Sequence, residues 1–103
     1  MSEIILTKEN FESEVVKTEK PVLVDFWASW CGPCQMLSSV IKDIAEENPD
    51  IKVCKCNVDE QMELAQEYNV MSIPFLVVFK NGKPVDYAIG VQSKENILKL
   101  IKK

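Results

Sequence analysis

Val22-Leu23-Val24-Asp25-Phe26-Trp27 is a nearly unbroken apolar run of strand length. A strand with one wet face alternates polar and apolar residues. This run does not alternate, so it reads as a central strand covered on both faces. Helices laid above and below a sheet supply that cover. Pro21 punctuates just before the run.

The flanking segments provide the layers. Ile4–Leu6 reads as a short strand, and Thr7 can cap a helix in which Phe11 and Val15 share a face, ending near Lys17. After the central run, Leu37, Val40, Ile41, Ile44 and Ala45 recur at helical spacing, and Asn48-Pro49-Asp50 stops that helix. Residues 51–58 predict a strand, and 62–68 a short helix with Leu64, Ala65 and Tyr68 inward. Residues 75–79 form a strongly apolar strand. Asn81-Gly82 is a hairpin signal that turns 85–89 back antiparallel. Ser93 caps a last helix carrying Ile97, Leu98 and Ile101 on one face. The order βαβαβαββα predicts an α/β fold: a single mixed central sheet flanked by helices on both faces. No repeat, low-complexity tract or long linker divides the chain, so residues 1–103 read as one domain. A chain of this length buries a core without covalent staples.

Directly after the central run comes Trp30-Cys31-Gly32-Pro33-Cys34-Gln35-Met36. Two cysteines separated by two residues suit a zinc half-site, a structural disulfide or a reversible redox couple. Placement favours the last, because Cys31 stands where a buried strand ends and a helix begins. Pro33 fits a first helical turn, where its missing N–H is not needed. Cysteines three apart there share a face within disulfide range. With Cys31 as N-cap, its sulfur meets the free backbone N–H groups and the positive end of the helix dipole, which favour a thiolate. Cys34, one turn in, is expected to be less exposed and less acidic. That asymmetry suits a two-step exchange in which Cys31 attacks a partner disulfide and Cys34 resolves the mixed disulfide.

Composition removes other chemistries. With no histidine, Cys-His nucleophile pairs and His ligands or bases are absent. A net charge of -4 without a basic block argues against nucleic acid as a partner. No apolar run approaches the roughly 20 residues that span a bilayer. Met1-Ser2-Glu3 followed by Ile4-Ile5-Leu6 is not a secretory signal. The expectation is a cytoplasmic protein, where thiols are kept reduced.

Asp25 to Cys34, DFWASWCGPC, resembles the active-site segment of the thioredoxin family. The likeness extends over roughly Ile4 to Ile101, including NVMSIPF around Pro74, FKNGK at the hairpin and the IGV turn at Gly90. It implies the thioredoxin fold and a protein-disulfide reductase that acts on protein disulfide substrates as a monomer. Such a protein needs no bound cofactor beyond a reversible Cys31–Cys34 disulfide and is recharged by a thioredoxin reductase.

The resemblance also assigns residues that the sequence alone leaves open. Asp25 by itself reads as a strand-end acid facing solvent; the resemblance implies a buried acid that accepts the Cys34 proton. Lys55 by itself is a solvated lysine, and the resemblance implies that it tunes Asp25. Pro74 by itself is strand-start punctuation with a trans bond. The resemblance implies a cis bond against the Cys-Gly-Pro-Cys turn, with Trp30, Ile73, Pro74, Gly90 and Val91 as an apolar docking patch. Trp27 is expected in the core. Cys54 and Cys56 face one side of a strand with Cα atoms about 6.6 Å apart, and read as small buried hydrophobes. The alternative is a zinc site using all four thiols. A non-catalytic binding module using the apolar patch is another. Gln35, Ser39 and Phe75 depart from the family pattern, which often has a basic residue, a helix-kinking proline and threonine there.

Overall fold

The computed structural model describes residues 3–103. In chain order the elements are β1 (Glu3–Ile5), a single π-helical turn (Glu12–Val16), β2 (Val22–Trp27), α1 (Gly32–Glu47), β3 (Lys52–Asn57), α2 (Met62–Glu67), β4 (Phe75–Lys80), β5 (Lys83–Ile89) and α3 (Lys94–Lys102). They form one five-stranded sheet of order β1-β3-β2-β4-β5. The apolar run is its middle strand, and Val22 to Phe26 are all buried. β1, β3 and β2 run parallel, β4 is antiparallel to β2, and β5 is antiparallel to β4.

The sheet separates two apolar layers. On one face Leu23, Val53, Leu76 and Val78 pack against Leu37, Ile41 and Ile44 of α1 and Ile97 and Ile101 of α3. On the other, Val24, Phe26, Cys54, Cys56, Val77 and Phe79 pack with Val15 and Leu64, joined by Phe11 and Tyr68. Tyr68 meets Phe79 edge-on, with centroids 5.3 Å apart. Such pairs add about 0.5–1.5 kcal/mol beyond burial alone.

Local chemistry sets the element ends. Ser93 Oγ accepts from Asn96 N at 3.1 Å and starts α3. Asn48 stops α1, donating to the Ile44 carbonyl through its backbone N–H at 3.0 Å and its side-chain amide at 3.1 Å. α1 runs uninterrupted through Ser39.

Two expectations change. The helix anticipated from Thr7 is a closed turn followed by a π turn. Thr7 N donates to Asn10 Oδ1 at 2.7 Å while Asn10 N donates to Thr7 Oγ1 at 3.2 Å, so residues 7–10 satisfy one another locally. The Lys17 N–H then reaches back to the Glu12 carbonyl at 2.9 Å, closing the wider turn. Phe11 and Val15 still reach one core, because spacings of four and five nearly coincide over one turn. β5 also begins two residues earlier than expected. Asn81 (φ 55°) and Gly82 (φ 78°) both adopt the left-handed region of a tight hairpin, so Lys80 pairs with Lys83 directly. Pro84 is tolerated because β5 is an edge strand and the register shifts beside it.

Candidate active site

The end of β2 delivers the chain to the first turn of α1. Cys31 has extended backbone (φ -91°, ψ 110°) and is the N-cap of α1. Its Sγ accepts the backbone N–H of Cys34 at 3.2 Å. A cap normally presents a side-chain oxygen to that donor; here the acceptor is the reacting sulfur. A thiolate at this position gains both the hydrogen bond and the helix dipole. Pro33 lies in the first turn, where no N–H is required. Gly32 is exposed, and a Cβ there would meet nothing within 4 Å, so its place in the turn is not forced by packing.

Cys31 and Cys34 are joined by a disulfide, with Cα atoms 5.3 Å apart. Against expectation, both residues are 4% exposed. They are covered alike because the turn packs on Ala28, Trp27, Val58 and Ile73. The inequality between them lies in hydrogen bonding, since Cys31 Sγ receives an N–H from its partner cysteine. Cys31 Sγ also lies 3.9 Å from the Ile73 carbonyl oxygen.

Asp25 is 1% exposed, and its Oδ1 is buried without a hydrogen-bond partner. It points to the α1 side of the sheet, since Leu23, two residues earlier, packs against Leu37 on that face. Burial pushes its carboxyl up to about 7, the Lys55 charge opposes this, and Glu3 adds to it. Lys55 stands directly opposite Asp25 in the β2–β3 register. Its Nζ lies 4.7 Å from the centroid of the Trp27 ring. Trp27 is half-buried rather than fully in the core, because that lysine and an adjoining cavity occupy one side of it.

The Ile73–Pro74 bond is cis, and the Pro74 carbonyl accepts the Gly90 N–H at 2.8 Å. Ile73 packs against Cys31, and this hydrogen bond ties Pro74 to Gly90. Trp30 is 70% exposed and Val91 47% exposed.

The thioredoxin family model matches residues 2–103. The chain belongs to the thioredoxin family. It is 48% identical over 93 residues to a thioredoxin of Alicyclobacillus acidocaldarius, a match covering 89% of this chain and 88% of that one. With a thioredoxin of Rickettsia felis it shares 46% identity over 99 residues, 95% of this chain and 94% of the relative. A mutant thioredoxin from Halobacterium salinarum superposes with a TM-score of 0.91 at 35% identity, covering 98% of this chain and 88% of that one. The family is one of thiol–disulfide oxidoreductases, and Cys31–Cys34 is the redox-active disulfide of this member.

Several open points of the sequence are resolved by packing. Phe75, where other thioredoxins often carry threonine, fills the core, 9% exposed and 6.2 Å from Phe26 between ring centroids. Cys54 and Cys56 are buried in the layer behind the sheet, apart from the Cys31–Cys34 cluster, so the four thiols do not converge. Burial raises both free thiols to about 12, which keeps them protonated and unreactive. Among the described residues no group of three or more His, Cys, Asp or Glu side chains is placed to hold a metal ion. Among them, too, no helix is long and apolar enough to cross a membrane.

Sequence reasoning missed two braces. Trp30 Nε1 donates to Asp59 Oδ2 at 2.8 Å. Asn57 prepares this contact, since its Oδ1 accepts the Asp59 and Glu60 N–H groups in a side-chain-closed turn after β3. The Asn-x-Asp spacing was the available signal. Gln35 Nε2 donates to the Ser29 carbonyl at 3.1 Å, tying the start of α1 to the loop before it. No local sequence pattern around Gln35 signals this bond.

Proposed function

We propose that the chain is a cytoplasmic, monomeric protein-disulfide reductase, recharged by a thioredoxin reductase, with neither nucleic acid nor a membrane as partner. The observation that carries this reading is the Cys34 N–H held on Cys31 Sγ at the head of α1. In the reduced protein the Cys31 thiolate attacks one sulfur of a partner disulfide. The partner S–S bond breaks, one partner sulfur leaves and takes up a proton, and a Cys31–partner bond forms. Cys34 then gives its proton to the Asp25 carboxylate and attacks Cys31 Sγ. The mixed disulfide breaks, the second partner sulfur leaves and is protonated, and the Cys31–Cys34 bond forms. Two electrons have passed to the partner, and the reductase returns them.

An extended partner segment pairs with the backbone of Ile73, much like an added strand. Trp30, Pro74, Gly90 and Val91 complete the contact, with Gly32 and Pro33 shaping the turn beneath it. Lys55 moderates the charge of Asp25. The whole of residues 1–103 acts as one domain.

An insulin-type disulfide reduction assay tests the reading. Wild-type protein reduces the substrate, and Cys31→Ser and Cys34→Ser each abolish turnover. Cys34→Ser accumulates a covalent adduct with substrate, whereas Cys31→Ser does not. Absence of wild-type turnover would reject reductase activity in favour of a binding module.

A further inference from the structure

Two carboxyl oxygens, Asp25 Oδ1 and Glu3 Oε2, are buried without a hydrogen-bond partner among the described residues. Asp25 has a role in the exchange reaction; Glu3 has none so far. The register relates them. Glu3 lies opposite Val53 on β3, Ile5 opposite Lys55, and Lys55 opposite Asp25 on β2. Side chains alternate along a strand, so Glu3, Lys55 and Asp25 fall on one face of three adjacent strands. That is the face on which α1 and α3 pack, because Leu23 and Val53 point into their core.

Toward the β1 edge this face opens into a cavity of about 410 Å³ lined by Glu3, Trp27, Lys55 and Asn57 among others. Lys55 Nζ lies over the Trp27 ring, and Asp25 is one strand further in. Among the described residues Lys55 therefore stands on the strand between an inner carboxyl and an outer one. The β4 neighbour of Asp25 in the register is Leu76, and on this face α3 contributes Ile97 and Ile101 to the core, while Cys56, one residue along β3, points to the opposite face. Glu3 is a carboxylate on the same face among the described residues, and its charge disfavours Asp25 ionisation in the same direction as burial does.

We propose that Glu3 is a positioning residue of the exchange reaction: it shares Lys55 with Asp25 across the three adjacent strands β1, β3 and β2 and sets the pH at which Asp25 takes up and releases the Cys34 proton. This rests on the reading of Asp25 as the proton acceptor. The carboxylate of Glu3 competes for the lysine's field, so Asp25 keeps a higher affinity for a proton than Lys55 alone would allow.

The test uses Glu3→Gln, Glu3→Asp and Asp25→Asn in the full chain. Asp25 is titrated by carboxyl-carbon NMR, and the resolution step is followed as a pH profile from a preformed mixed disulfide. Removing a like charge favours the ionised form, so the Asp25 midpoint falls in Glu3→Gln by roughly half a pH unit, about threefold in proton affinity. The pH profile moves with it, and Glu3→Asp restores most of both. An unmoved midpoint in Glu3→Gln, or an equal shift in Glu3→Gln and Glu3→Asp, overturns the inference. A moved midpoint with an unmoved profile overturns the positioning role if Asp25→Asn slows resolution. If Asp25→Asn leaves resolution unchanged, the assignment of Asp25 as acceptor is what fails, and the positioning role falls with it.

Discussion

Asp25 is held at a cost in stability, and that cost has a pH signature. Its carboxyl is raised from 3.8 to about 7 on folding, so the folded protein binds this proton more tightly than the unfolded chain does. The stabilisation is complete below about pH 4 and is lost as pH rises through about 7, totalling about 4 kcal/mol. Denaturant unfolding at several pH values should show wild-type stability falling over this window relative to Asp25→Asn. A difference independent of pH would show that Asp25 does not titrate there. Trp30→Phe keeps an exposed ring but loses the hydrogen bond to Asp59. It should change stability by less than about 1 kcal/mol while raising KM for a protein substrate several-fold. An unchanged KM would remove Trp30 from the docking patch. The cysteine pair was legible because strand, turn and helix cues meet at one point in the sequence, whereas the burial of Asp25 came only from the family resemblance. Glu3 and Asp59 were not, because their partners are set by strand register and a loop turn from distant segments.

Each helix that matters to the site is fixed at its start by a side chain. Ser93→Ala removes the α3 cap and should lower stability by about 1 kcal/mol with the exchange rate unaffected. An altered rate would imply that α3 communicates with the Cys31 turn. Gly82 makes a different demand. It sits at φ 78°, and a Cβ there would lie 3.2 Å from Val16 Cγ1 and 3.3 Å from its carbonyl oxygen. Gly82→Ala should cost at least about 1 kcal/mol in denaturant unfolding, and a neutral result would contradict the turn geometry. β2, α1, α2 and the β4–β5 hairpin could be read directly, since their apolar spacing and end signals agree. The segment after β1 could not. Apolar residues four apart fit an α or a π turn equally, and the Thr7–Asn10 pair had already closed the chain locally.

Across the whole molecule, the sheet order places the reacting pair at the carboxyl end of a central strand, beside the cis-Pro74 segment that leads into β4. Open α/β sheets commonly gather their chemistry at such strand ends. Neither α1 packing nor the sheet leaves Cys31 projecting into solvent. Its reactivity must come from the head of α1 rather than from exposure, and this is the central claim. Partial alkylation of the fully reduced protein at neutral pH, with the modified cysteines located by mass spectrometry, tests it most directly. Cys31 should react first and at least tenfold faster than Cys34, with Cys54 and Cys56 untouched. Equal labelling of Cys31 and Cys34, or labelling of Cys34 first, would contradict the account.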